Sequence, residues 1–288
     1  MEWIIIDDGT DKIEDLVAHL PYVKYYKSLT RMLLGKKRNV MHDKCNGSII
    51  VYMDDDDYYP PERVQHAVDT LLATPTALCA GSSEMHVYFS DLKQMYQCGP
   101  YGLNHSTAAT FAFRKELLKE VSYNDNEAIA EEKHFLKNYT IPFVQLKTEK
   151  TILVFAHIHN SVDKKMIINT PSPYVKKSDK RLDDFFGNNN KELKQFYSRD
   201  LNDKLLMYPL GKPENKPETL QQIELLTNER KKRAELYETM TKDMMEMKKS
   251  HDKVIENKDY LISVLLKQNK ELKETNKQLQ EKLDAIKN

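Results

Sequence analysis

The sequence predicts an α/β fold: a mostly parallel sheet with flanking helices, followed by a C-terminal coiled-coil helix. Three observations carry that reading. Short β-prone runs recur at 3–6, 49–53, 84–89, 107–113 and 151–156, each a candidate strand. Stretches with helical character lie between them, and strands alternating with helices favour parallel pairing. From Thr219 to Asn288 there is no Gly and no Pro, and helix formers dominate.

The first strand, Trp3-Ile4-Ile5-Ile6, ends in Asp7-Asp8-Gly9, two carboxylates and a glycine turn. Many α/β proteins end strands this way, so alone it specifies little. Gly35-Lys36-Lys37-Arg38-Asn39 reads as a basic loop, suited either to phosphates or to plain solvation. Ile49-Ile50-Val51-Tyr52-Met53 then runs into four consecutive aspartates, Asp54 to Asp57. Adjacent carboxylates raise one another's pKa, and a bound hard cation such as Mg²⁺, Mn²⁺ or Ca²⁺ relieves the repulsion. Ligands of open α/β sheets sit at the carboxyl ends of strands. A solvated acidic turn closed by Pro60-Pro61 is the other reading of the same residues.

Glu62 to Ala73 carries Val64, Ala67, Val68, Leu71 and Leu72 at helical spacing, after prolines well placed at a helix start. Glu127 to Asn138 is a second candidate helix, stopped before Pro142. The apolar strand Thr151 to Phe155 leads into Ala156-His157-Ile158-His159-Asn160, whose two histidines project to one side. A zinc site would need a second His or Cys pair at matching spacing, and none is present.

Lys+Arg and Asp+Glu balance at 44 each in 288 residues, so net charge gives no reason to expect nucleic acid or an anionic membrane as partner. The three cysteines, Cys45, Cys79 and Cys98, are too scattered for a disulfide framework, and a reducing compartment is the simpler inference. No run approaches the roughly 18 apolar residues of a membrane span, and no signal peptide is visible. The expected organisation is a globular domain over 1–163, a polar connection with short docking segments over 164–218, and a coiled coil over 219–288. In the last, Leu265, Leu272, Leu279 and Ile286 recur every seven residues, with Ile262, Asn269, Asn276 and Leu283 three residues before each. Met240, Met247, Val254 and Leu261 also recur every seven, offset by four, which reads as a stutter. Asn269 and Asn276 in the seam favour a parallel homodimer. A single solvated amphipathic helix is the other reading.

Three motifs in order, Glu2-Trp3-Ile4-Ile5-Ile6-Asp7-Asp8-Gly9-Thr10, then Lys37-Arg38-Asn39, then the strand from Ile49 with its aspartates and Pro60-Pro61-Glu62-Arg63, resemble family-2 glycosyltransferases of the GT-A (Rossmann-like) fold. The residue flavour is similar to versions found in large DNA viruses, and the resemblance covers roughly residues 1 to 163. It implies that Asp7 and Asp8 bind the nucleotide base and that Lys37, Arg38 and Asn39 contact the nucleotide-sugar. It implies that Asp54 touches ribose or sugar, that Asp55 belongs to the same nucleotide-sugar site, and that Asp56 holds a divalent metal, Mn²⁺ or Mg²⁺, on the diphosphate. Ala130-Glu131-Glu132-Lys133-His134-Phe135 resembles the family's acid motif, with Glu132 where the family usually has aspartate. The resemblance therefore implies Glu132 as the catalytic base and Glu131 as its neighbour or substitute. Many GT-A enzymes close the metal site with a late histidine, which points to His157 ahead of His159. Asn104 to Arg114 resembles the segment lining the donor-sugar and acceptor cleft.

The implied activity is metal-dependent, inverting transfer of a sugar from a nucleotide-sugar, UDP-sugars being the commonest donors, to a hydroxyl on a protein, glycan or lipid. Its expected place is the cytoplasm, the host's if the source is viral, or the virion. The family also opens with a strand and helix before the Trp3-Ile4-Ile5-Ile6-like strand, and the resemblance implies an N-terminally incomplete domain here. The rival reading is a coiled-coil interaction protein carrying a degenerate, inactive transferase-like domain.

Overall fold

The computed structural model describes residues 1–129, 132–187 and 190–287. Two compact units are present, Met1–Glu224 and Leu225–Asn288. In the first, β1 (Trp3–Asp7), a single turn α1 (Glu14–Val17) and β2 (Val23–Lys27) form a two-stranded parallel sheet. Among the described residues β1 pairs with β2 alone. Then come α2 (Leu34–Lys44), β3 (Ile49–Val51), α3 (Arg63–Ala73) and β4 (Cys79–Gly81). The hairpin of β5 (Met85–Phe89) and β6 (Gln94–Cys98) follows, then β7 (Ala112–Arg114), α4 (Glu132–Phe135), β8 (Phe143–Gln145) and β9 (Val154–Ala156). The unit is completed by α5 (Lys165–Asn169), β10 (Val175–Lys177), α6 (Asp183–Phe186), α7 (Lys191–Gln195) and α8 (Leu201–Leu206), before the long α9 (Pro217–Lys287).

One sheet runs β3-β7-β4-β8 and the other β10-β6-β5-β9. The α/β class is as expected, with parallel pairs β1·β2, β4·β8 and β5·β9, while the remaining pairings are antiparallel. The short turn between β5 and β6 permits only an antiparallel hairpin. Between the strands and the helices lies an aromatic core of Tyr52, Phe111, Phe113, Tyr123 and Phe135. Helix α3 buries Arg63, Ala67 and Leu71, residues one turn apart on one face.

Two expectations change. The basic stretch Gly35-Lys36-Lys37-Arg38-Asn39 is not a loop but the start of α2. Its buried face is Gly35, Arg38 and His42, so the helix carries its periodicity in polar and small residues and shows no apolar stripe. Gly35 is required there, because a Cβ would lie 2.0 Å from the Asn124 carbonyl oxygen. The expected helix over 127–138 forms only the single turn α4 among the described residues. Beyond it Lys137, Asn138 and Tyr139 take positive φ values of 46°, 56° and 63°, a left-handed run that ends any helix. The polar stretch 164–218 packs extensively: Phe185 and Phe186 are buried against Tyr58, Leu153 and Phe155.

Candidate functional site

Strand β3 ends at Val51, and the chain then turns through the aspartates. The base of the turn is pinned from beneath by Arg63, which is fully buried. Its Nη2 donates to the carbonyls of Tyr52 (3.3 Å), Thr110 (2.8 Å) and Phe111 (2.9 Å), while Nε and Nη1 have no hydrogen-bond partner among the described residues. Burial lowers the Arg63 pKa to about 10, against the nearby Tyr59, Cys79 and Asp54, so the guanidinium stays charged at neutral pH. The Asp54 N–H donates to the Tyr59 hydroxyl at 2.8 Å, and that hydroxyl donates to the Ala109 carbonyl at 3.1 Å. Carboxylate oxygens of Asp54, Asp56 and Asp57 thereby fall within 4.8 Å of one another. Asp55, exposed on the turn, is not in that group.

The end of β9 supplies the other wall. His157 is almost completely buried, and its Nε2 lies 3.5 Å from Asp56 Oδ2. Asn160 brackets the pair. Its Oδ1 accepts from the His157 N–H at 2.9 Å, and its Nδ2 sits 2.9 Å from His157 Nε2 and 3.4 Å from Asp56 Oδ2. The His159 N–H donates to His157 Nδ1 at 3.2 Å. Nδ1 faces the His159 N–H, and Nε2 faces both the Asn160 amide nitrogen and Asp56, whereas a neutral ring accepts at only one of its two nitrogens. Burial pushes the Asp56 carboxyl up, but the His157 hydrogen bond and charge outweigh it and hold it below the usual range. Burial and the Asp56 charge drive Asp57 well above that range. Three carboxylates and an imidazole make a donor set that fits Mg²⁺ or Mn²⁺. Ligation through His157 Nε2 requires that nitrogen to be unprotonated, with the ring proton on Nδ1 at the expense of the His159 contact.

The other predicted residues are placed as follows. Asp7 Oδ1 accepts from the Gly9 N–H at 2.9 Å, and Oδ2 accepts from the Ile13 N–H at 3.1 Å and from the Tyr25 hydroxyl. Asp8 accepts from the Met32 N–H at 2.7 Å and from Lys37 Nζ at 2.5 Å. The Asn39 amide clamps the backbone of Tyr123 from both ends, at 2.8 and 2.9 Å. Arg38 Nη2 lies 3.8 Å from Asp54 Oδ1, with its guanidinium over the Tyr52 and Tyr123 rings. Helix α2 thus links the end of β1 to the acidic turn. Glu132 is half-buried at the first position of α4, and Glu131 lies outside the described residues. His159 turns away from the acidic group: it packs on Gly211, where a Cβ would lie 2.4 Å from its Nδ1.

Residues 1–125 match the family profile described as Glycosyl transferase family 2. That stretch is similar to family 2 glycosyltransferase domains. It contains β1, α2 and the acidic turn, whereas Glu132 and His157 lie beyond it. A comparison with curated proteins found no match. Among solved structures, S. aureus TarS 1–349 in complex with UDP-GlcNAc is similar at 19% identity and a TM-score of 0.39, over 54% of this chain and 49% of that one. The mannosyltransferase PcManGT from Pyrobaculum calidifontis, in complex with GDP-Man and Mn²⁺, is similar at 13% identity and a TM-score of 0.41, over 53% of this chain and 47% of that one. The chain therefore spans about half the length of each.

Sequence reasoning passed over three parts of this frame. Arg63 appeared only as the close of the third motif and the start of a helix, Asn160 only as the residue after the histidines, 208–218 as connection and 219–222 as the start of the coil. The segment 208–222 crosses several edges of the domain. The Tyr208 hydroxyl donates to Asp11 Oδ2 at 3.2 Å, Arg31 Nη1 donates to the Asn215 carbonyl at 2.6 Å, and the Gln222 amide bonds Asn126 and Ala128. Burial of Arg63 has no local sequence signal, because arginine is rarely fully buried.

Proposed function

We propose that the chain is a metal-dependent, inverting glycosyltransferase that moves a sugar from a nucleotide-sugar, a UDP-sugar first among candidates, to an acceptor hydroxyl. The observation that carries the reading is the grouping of Asp54, Asp56 and Asp57 within 4.8 Å at the end of β3, inside the stretch similar to family 2 domains. Asp56 and His157 are assigned to Mn²⁺ or Mg²⁺, with Asp57 beside them. When bound, the cation neutralises charge on the departing diphosphate. Asp54 and Arg38 are assigned to the ribose or sugar side, with Asp7, Asp8, Lys37, Asn39 and Asp55 around the nucleotide.

Glu132 takes the proton of the acceptor hydroxyl as its oxygen attacks the anomeric carbon. The bond to the nucleoside diphosphate breaks as the new glycosidic bond forms, with inversion, and the proton ends on Glu132. Glu131 is the neighbouring carboxylate of the same motif. The reaction is assigned to a cytoplasm, with a protein, glycan or lipid as acceptor.

One observation favours the rival, a scaffold with an inactive domain. Asp7, Asp8, Lys37 and Asn39 all spend hydrogen bonds on holding β1, α2 and the 123–125 loop together. The experiment that separates the readings is sugar transfer by the full chain and by Asp56→Ala and Glu132→Gln. The enzyme reading expects transfer that falls about a hundredfold or more in each variant. Transfer undiminished in either variant removes the role given to that residue, and no transfer from any donor supports the scaffold.

A further inference from the structure

Helix α9 carries a continuous seam that nothing within the Leu225–Asn288 unit covers, among the described residues. Core positions step by three and four residues from Tyr237 to Leu261 and again from Asn269 to Ile286, with one four-four step at Leu261-Leu265-Asn269. At about 1.5 Å per residue the seam is about 75 Å long. Its apolar layer contains Met247, Val254, Leu261, Leu272 and Leu279, and these are exposed: Leu272 at 63% and Leu279 at 58%. An isolated helix gains nothing from such a stripe, whereas a partner helix buries it.

The alternate layer decides the partner. It holds His251, Lys258, Asn269 and Asn276. We propose that this seam binds the same seam of a second copy of the chain, parallel and in register, as a two-stranded coil. In that arrangement each polar residue meets its own counterpart. The Asn269 amides pair with each other across the seam, as do those of Asn276, each both donor and acceptor. An antiparallel pairing sets these amides against the leucine layer and leaves them unpaired, which is costly when buried. A third strand encloses Lys258, whose ammonium reaches water from the side of a two-stranded seam. The four-four step locally unwinds the supercoil and fixes the register of the halves on either side. The inference stands on the seam alone and is independent of the transferase reading.

The test uses the full chain. Sedimentation equilibrium at micromolar concentration is expected to give twice the chain mass. A Leu279→Cys variant treated with a short bis-maleimide is expected to form a covalent dimer above the background of the unsubstituted chain. Replacing Asn269 and Asn276 together by Ile, which with Leu272 and Leu279 three residues on still favours two strands, is expected to keep the mass of two copies and to raise the thermal midpoint of the coil. A monomer, a trimer of the unsubstituted chain, or a dimer that residue 279 does not cross-link overturns the proposal. A double-Ile variant whose thermal midpoint is not raised overturns the burial of the two asparagines in the seam.

Discussion

The site is decided by side chains that hold other side chains. Asn160 touches both His157 Nε2 and Asp56 Oδ2, so it orients the imidazole against the carboxylate. Groups that orient a ligand commonly change metal affinity by about 10–100-fold when removed. Asn160→Ala is expected to weaken Mn²⁺ binding by about tenfold, read by titration calorimetry, with the fold intact by circular dichroism. Arg63 works differently, through three backbone carbonyls at the root of the acidic turn. Arg63→Met leaves those carbonyls without their donor and is expected to cost about 2–4 kcal/mol in urea unfolding. The aspartates were legible in the sequence because four carboxylates in a row announce themselves. Arg63 and Asn160 were not, because a single buried arginine or strand-end asparagine looks like any other until its partners are in place.

Helix α2 shows why element type was harder to read than chemistry. The stretch 35–39 was legible as basic and as adjacent to the acidic strand, but its helical period runs through Gly35, Arg38 and His42 rather than through apolar residues. Strands β2 and β4 were hidden for related reasons. Val23-Lys24-Tyr25-Tyr26-Lys27 carries two charges, and Cys79-Ala80-Gly81 is small because Gly81 sits where a Cβ would lie 2.2 Å from Ser106 Oγ. The buried face of α2 makes a pH prediction. Burial, with the Arg38 charge, lowers the His42 pKa from 6.5 to about 4, so the folded state holds it neutral. Below pH 6.5 the unfolded chain binds a proton that the folded chain refuses until about pH 4. Stability is therefore full above pH 6.5 and falls across that window, by about 3 kcal/mol. His42→Phe is expected to flatten this part of the stability profile in denaturant melts between pH 7 and pH 4 relative to the unsubstituted chain.

The chain joins a unit, Met1–Glu224, whose residues 1–125 match the family 2 glycosyltransferase profile, to a helix that continues to Lys287. No helix of the described residues is long and apolar enough to cross a membrane. The α/β class and the long C-terminal helix were legible because both rest on repeating patterns. Docking within 164–218 was legible where it is apolar, at Phe185 and Phe186, but not where it rests on a single polar contact such as Tyr208 on Asp11. The central claim is that the acidic turn holds a cation on which a nucleotide-sugar is bound. The most direct measurement is the thermal midpoint of the full chain and of Asp56→Ala, each with Mn²⁺, with a panel of nucleotide-sugars, and with both together. A ligand that binds only the folded state must raise the midpoint. The account predicts the largest rise for the unsubstituted chain with Mn²⁺ and one nucleotide-sugar together, and little or none for Asp56→Ala. No rise with any combination, or an equal rise in the variant, contradicts it.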